Sequence, residues 1–137
     1  MPQQEETQSK AVQESDFVLP LPYMGIRISR GTMMELSTTF KALADPTRLR
    51  IMNLLLRSPF CVCEMERILK LSQPLLSRHL AYLRNCGLVE SRRDGMRVNY
   101  NLNEKHPFLK QIRPFLLDAL GNDAVGRADL RTMKIAV

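Results

Sequence analysis

Apolar residues recur at helical intervals along most of this chain. Met33, Leu36, Phe40 and Leu43 are spaced by three and four, which predicts a helix over about 32–43. Asp45-Pro46 pairs a good N-cap with a proline suited to the first helical position. It opens a second helix with Leu49, Met52, Leu55 and Leu56 on its apolar face, closed before Pro59. Val62, Met65, Ile68 and Leu69 form a third stripe. After Lys70-Leu71, Ser72 is an N-cap, Pro74 is tolerated in the first turn, and Leu75, Leu76, Leu80 and Leu83 run on to a stop at Gly87. Two short helices joined by a tight turn over 59–87 predict a helix-turn-helix. The polar front of its second helix carries Ser72, Gln73, Ser77, Arg78 and His79, the side-chain types that reach base edges and phosphates from the major groove.

The period then changes from helical to alternating. Residues 88–93 read as a strand, Asp94-Gly95 suits a two-residue hairpin turn, and residues 96–102 alternate strictly. A hairpin directly after a helix-turn-helix is a wing, and Arg92, Arg93 and Arg97 around its tip are placed to grip phosphate or the minor groove. Asn103 or His106-Pro107 opens a last helix to about Leu120, with Phe108, Ile112, Phe115, Leu116 and Leu120 on one side and a kink, or the true start, at Pro114. The chain thus reads as mainly α with a β-hairpin wing, a winged helix-turn-helix over 32–120. It is flanked by a flexible arm over 1–31 and a loose or weakly helical tail over 121–137. Within the arm, 1–16 is rich in Gln and Glu and reads as disordered, 17–23 is apolar but kept extended by Pro20 and Pro22, and 24–31 is a linker. The first and last helices of the body carry more apolar surface than so small a core needs. That predicts a homodimer through the terminal helices, which presents two reading helices to a near-palindromic site.

Charge sharpens the picture. The 137 residues carry a net charge of +6, but residues 1–16 are net −3, which leaves +9 on the rest. A basic body favours a polyanion, with double-stranded DNA the leading partner. No stretch is long or apolar enough to span a bilayer, and the N-terminus has no basic region followed by an apolar run, so no membrane partner and no secretory signal are expected. Three cysteines are too few for a disulfide scaffold and imply free thiols in a reducing cytoplasm.

These segments together resemble the ArsR/SmtB family of metal-responsive winged-helix repressors, in particular its arsenite-responsive branch. The resemblance covers about 35–120. It rests on Ala44-Asp45-Pro46-Thr47-Arg48-Leu49-Arg50-Ile51, on Ser72-Gln73-Pro74 followed by Ser77-Arg78-His79-Leu80, and on Arg92-Arg93-Asp94-Gly95 through Val98-Asn99-Tyr100. It implies a dimeric repressor that leaves its operator on binding an inducer. It also implies a metalloid site at the start of the third helix, where Cys61-Val62-Cys63 matches the family's Cys-Val-Cys and Glu66 stands where a third cysteine belongs. A carboxylate is a hard ligand and a poor replacement for a thiolate on a soft centre. The third bond would then come from a small-molecule thiol, from Cys86 or from nothing. The cadmium- and lead-type site, which adds cysteines from an N-terminal arm, is not expected, since none of residues 1–60 is a cysteine. The zinc-type site is not expected either, with only His79 and His106 in the chain.

The resemblance thus implies Cys61 and Cys63 as the metal ligands, with As(III) or Sb(III) as the expected inducer and no constitutive cofactor. Residues two apart on a helix sit about 200° apart around the axis, so a chelate taking both sulfurs is expected to bend or unwind the first turn. That strain would shift the reading helix. Cys86, at the end of an apolar helix, reads as core packing, and His106 as a helix-end residue. A thiol-based redox or reactive-sulfur sensor of the same fold is the alternative. A thiol enzyme is disfavoured: there is no Cys-x-x-Cys, no βαβ pattern and no His–Asp pairing near the thiols. A winged-helix interaction module that never touches DNA is separable by the salt dependence of duplex binding.

Overall fold

The structure is a computed structural model that describes Phe17–Val18, Arg27–Ile28 and residues 33–136. The expectations for residues 1–16, and for most of the arm, fall outside the described residues. Phe17–Val18 (β1) and Arg27–Ile28 (β2) pair as a short antiparallel ladder, so the second strand lies where a plain linker was expected.

Helices α1 (Met33–Leu43) and α2 (Pro46–Leu55) come first. Asp45 caps α2 in the expected way: its backbone is extended and its carboxylate accepts from the Arg48 amide at 3.0 Å. A two-residue strand, β3 (Phe60–Cys61), leads directly into α3 (Val62–Leu69). Lys70 closes α3 at φ +57, a left-handed conformation that a side chain rarely adopts, and the chain re-enters helix as α4 (Gln73–Asn85). Strands β4 (Val89–Asp94) and β5 (Arg97–Leu102) form the wing, with β5 central between β3 and β4. The winged helix-turn-helix is therefore as predicted, with one more strand than the sequence suggests.

The hairpin turn differs by one residue. Asp94 still pairs with Arg97, so Gly95 and Met96 form the turn. Gly95 takes φ +64 while Met96 does not have a positive φ, the pattern of a type II′ turn with glycine at the first central position.

The C-terminal part is more ordered than expected. Helix α5 (Leu109–Asn122) runs through Pro114, and α6 (Ala124–Ala136) packs on α2, α3 and α5 where a loose or weakly helical tail is expected from the sequence. Arg50 of α2 meets the buried Asp129 of α6 in a two-pronged pair at 2.8 Å and 2.8 Å, and also donates to the carbonyl of Leu69 at the end of α3 at 3.0 Å. Asp129 holds the Arg50 guanidinium above its ordinary pKa. The buried side of α5 carries Leu109 and Leu116, whereas Phe115, expected on that stripe, is 71% exposed. The core is centred on Ile51, Met52, Leu54, Met65, Leu76, Leu80, Leu83 and Leu88, all with no exposed surface. No helix among the described residues is long and apolar enough to cross a membrane.

Candidate functional site

Helix α4 is held from behind and open in front. Leu76, Leu80 and Leu83 are fully buried, while Ser72, Gln73, Ser77 and Arg78 are exposed. Residues four apart on a helix are neighbours, so Gln73 and Ser77 share a face, with Arg78 next to Ser77 in the N-terminal half of the helix. Ser72 supplies the N-cap backbone conformation without a side-chain cap bond.

His79 departs from this group. It is half-buried and faces the α1–α2 junction, with Nδ1 at 3.4 Å from an Arg48 guanidinium nitrogen and 3.9 Å from Asp45 Oδ1. Burial lowers its pKa from the ordinary value; Asp45 opposes that, and Arg48 and Arg78 add to it. Arg48 donates to the carbonyls of Ala42 at 2.6 Å and Lys41 at 3.2 Å, and lies 4.1 Å over the Tyr82 ring of α4. This cluster fixes the back of the reading helix to the rest of the body, and His79 belongs to it rather than to the polar front.

The sulfur pair lies at the other end of the motif. Cys61 is not on the helix but is its N-cap, with φ −85 and ψ 164. Its sulfur accepts from the Glu64 amide at 3.4 Å, and Glu64 Oε1 accepts from the Cys61 amide at 3.0 Å. That is a capping box with sulfur in the place of the usual hydroxyl. Cys63 follows in the first turn and is exposed, whereas Cys61 is 2% exposed. The Cα atoms are 5.5 Å apart and the two sulfurs are joined as a disulfide. Two sequence expectations are corrected here. The pair is not left as free thiols, and bringing the sulfurs together needs no unwinding of α3. The extended backbone of an N-cap residue turns its side chain back over the first turn, where the residue two further on meets it.

The wing supplies the pair's third neighbour. Cys61 stands opposite Asn99 in the β3–β5 ladder, and Arg97 lies two residues along β5 on the same face. Arg97 Nη2 donates to Cys61 Sγ at 3.2 Å and to Cys63 Sγ at 3.7 Å, and lies 3.8 Å from Glu64 Oε1. The three arginines expected at the wing tip are therefore divided. Arg92, opposite Asn99, shares the face of Arg97 and borders a cleft with Arg57 and Arg113, and Arg93, opposite Val98, occupies the other face. Both Arg92 and Arg93 are exposed.

Cys86 sits apart, 5% exposed at the end of α4, and burial pushes its thiol up to about 11, with a small opposing effect of Arg48. Glu66, at the position of the missing cysteine, is half-buried on α3. His106 is buried at the entry to α5, where it accepts from the Phe108 amide at 3.2 Å and lies 3.4 Å from Thr39 Oγ1. No group of three or more His, Cys, Asp or Glu side chains suited to a metal ion occurs among the described residues. The site thus offers two sulfurs, a guanidinium and the capping carboxylate.

Residues 45–91 match the model of the bacterial regulatory protein, arsR family, which takes in α2, the helix-turn-helix and the sulfur pair. The arsenical resistance operon repressor of Staphylococcus xylosus is 42% identical over 78 residues, which cover 57% of this chain and 73% of that protein. The chain belongs to the ArsR family. Another relative is the arsenic resistance transcriptional regulator ArsR1 of Pseudomonas putida, 47% identical over 81 residues. The matched segment is 56% of this chain and spans 63% of that ArsR family member, just under two thirds. Among solved structures, HlyU from Vibrio cholerae aligns with a TM-score of 0.55 at 33% identity, covering 64% of this chain and 89% of that one. Family members of this kind are transcriptional regulators and not enzymes.

Proposed function

We propose that this ArsR family protein is a DNA-binding transcriptional repressor. In this reading it releases its operator when trivalent arsenic or antimony binds Cys61 and Cys63. Ser72, Gln73, Ser77 and Arg78 read the major groove, and Arg92 and Arg93 hold the backbone beside it. The names of the S. xylosus and P. putida relatives support an arsenical as the inducer. One observation carries the coupling: the two sulfurs meet at the N-cap of α3, the helix that supports the reading helix, while Cys61 is also a strand partner of the wing. An arsenic atom that takes the Cys61 sulfur competes with its capping bond to Glu64, an interaction whose loss costs about 1 kcal/mol at a helix start. Both DNA-contacting elements are attached to that point. The acting form in the cytoplasm is a two-fold dimer through α1 and α5, which leave Met33, Phe40 and Phe115 exposed on the single chain.

Operator release by arsenite, followed on the reduced protein, tests this. Wild type should release, and Cys61→Ser and Cys63→Ser should not. An unchanged response of Cys63→Ser would remove the sulfur pair from the mechanism. Gln73→Ala or Arg78→Ala should each cost roughly 1–3 kcal/mol of operator affinity. The joined sulfurs favour one second reading, a redox or reactive-sulfur sensor in which Cys61 and Cys63 oxidise. Release by diamide or persulfide with no response to arsenite would select it.

A further inference from the structure

The sulfur site lacks a third thiol, and the remaining cysteine does not supply one. The sequence holds three cysteines, and Cys86 is buried in the core at the far end of α4. When arsenous acid reacts with two thiols, two As–O bonds are exchanged for two As–S bonds. The two thiol protons leave with the two hydroxyl groups as two waters, arsenic stays trivalent, and one As–O bond remains. That oxygen projects from an atom bound to both sulfurs.

The group lying against both sulfurs is the Arg97 guanidinium, at 3.2 Å from one and 3.7 Å from the other. A guanidinium carries five N–H donors and no acceptor, so it bonds an arsenic-held oxygen more strongly than it bonds sulfur, a weak acceptor, and finds no acceptor in an arsenic-held carbon. Its side chain is 58% exposed, which leaves it free to move from the sulfurs to a group bound on them. Glu64, 3.8 Å away and itself fixed by the capping box, holds the guanidinium on this side of β5.

We propose that Arg97 completes the inducer site by donating a hydrogen bond to the oxygen that arsenic retains after binding Cys61 and Cys63. It thus does by hydrogen bonding what a third cysteine does by ligation. The ligand class is therefore an oxygen-bearing trivalent arsenical, and Arg97 serves the sensor rather than the operator. This rests on the reading that the sulfur pair receives the inducer.

The test compares arsenite with phenylarsine oxide, whose third arsenic bond after capture by two thiols is to ring carbon. Both are titrated into the reduced, full-length protein–operator complex against a competing dithiol, and into the free protein by calorimetry. Arg97→Ala should weaken arsenite about tenfold, the worth of one charge-assisted hydrogen bond, and leave phenylarsine oxide unchanged. Arg97→Lys, which keeps a donor, should recover part of the loss. The phenylarsine oxide arm also shows that each variant is folded and its thiols competent. An equal loss for both arsenicals, or no loss for either, overturns the proposal. So does a salt slope of operator binding that falls by about one per protomer, which marks Arg97 as a phosphate contact. If neither arsenical releases the wild type, the sulfur-site reading itself is wrong and this assignment falls with it.

Discussion

Cys86 is the thiol that the fold withholds. Its sulfur is buried among the core leucines at the end of α4, and burial raises its pKa to about 11, so little thiolate exists near neutral pH. Cys86→Ser should therefore leave arsenite release unchanged, and alkylation of the reduced protein should label Cys63 well before Cys86, as peptide mass mapping will show. A Cys86→Ser protein deaf to arsenite would make it the missing third ligand. His79 gives the residue-scale dependence on pH. Burial, with the cations Arg48 and Arg78, outweighs the pull of Asp45 and lowers its pKa in the folded state. The unfolded chain then binds more protons than the native one below about pH 6.5. The stability tied to neutral His79 is fully present above that pH and is lost as pH falls through the lower folded value. Urea unfolding between neutral and mildly acid pH should show a steeper loss for wild type than for His79→Gln. Equal slopes would mean that His79 does not carry the dependence.

At the scale of the element, what the sequence shows and what it hides have different physical origins. Helices α1, α2, α3 and α4 are legible because a local period and local caps specify them: Asp45-Pro46 starts α2, and Leu76, Leu80 and Leu83 form one stripe. Strand β3 is not legible, since two residues carry no period, and its existence depends on β5 nearly forty positions later. The same long-range register places Arg97 on the sulfurs, so its separation from Arg92 and Arg93 cannot be read from their spacing. Helix α6 was hidden for a similar reason. Its anchor, the Arg50–Asp129 pair, joins residues 79 positions apart, and its two nearby glycines suggest looseness. Gly126 has the opposite role: a Cβ there would collide with the Leu120 backbone carbonyl, so the missing side chain lets α6 pack tightly against the end of α5. Gly126→Ala should therefore destabilise the protein by about 1–3 kcal/mol, the usual cost of overpacking, although alanine is the better helix former. A stabilised Gly126→Ala in thermal or urea unfolding would show that α6 is not held so closely.

For the whole molecule, charge and symmetry meet in one measurable quantity. Residues 17–137 carry +9 while the first sixteen residues carry −3, and the attraction for DNA is expected from the cations at the reading face. With Arg97 assigned to the sulfurs, His79 turned inward and Arg78 reading the groove, Arg92 and Arg93 are the expected phosphate-contacting side chains of each protomer. Each phosphate neutralised contributes about −0.9 to the slope of log affinity against log salt concentration, so two protomers should give a slope of about −4 and one protomer about half that. Operator binding by fluorescence anisotropy over a series of KCl concentrations measures it directly. Arg93→Ala should flatten the slope by about two, one for each half of the dimer, and weaken unrelated duplexes as much as the operator, because a phosphate contact carries no sequence information. Gln73→Ala should do the reverse, keeping the slope and losing discrimination among sequences. A slope near zero with an intact protein would mean that the basic face meets something other than DNA. A slope half as steep, with Phe115→Asp making no difference to it, would mean that a single protomer occupies the site and that α1 and α5 do not pair.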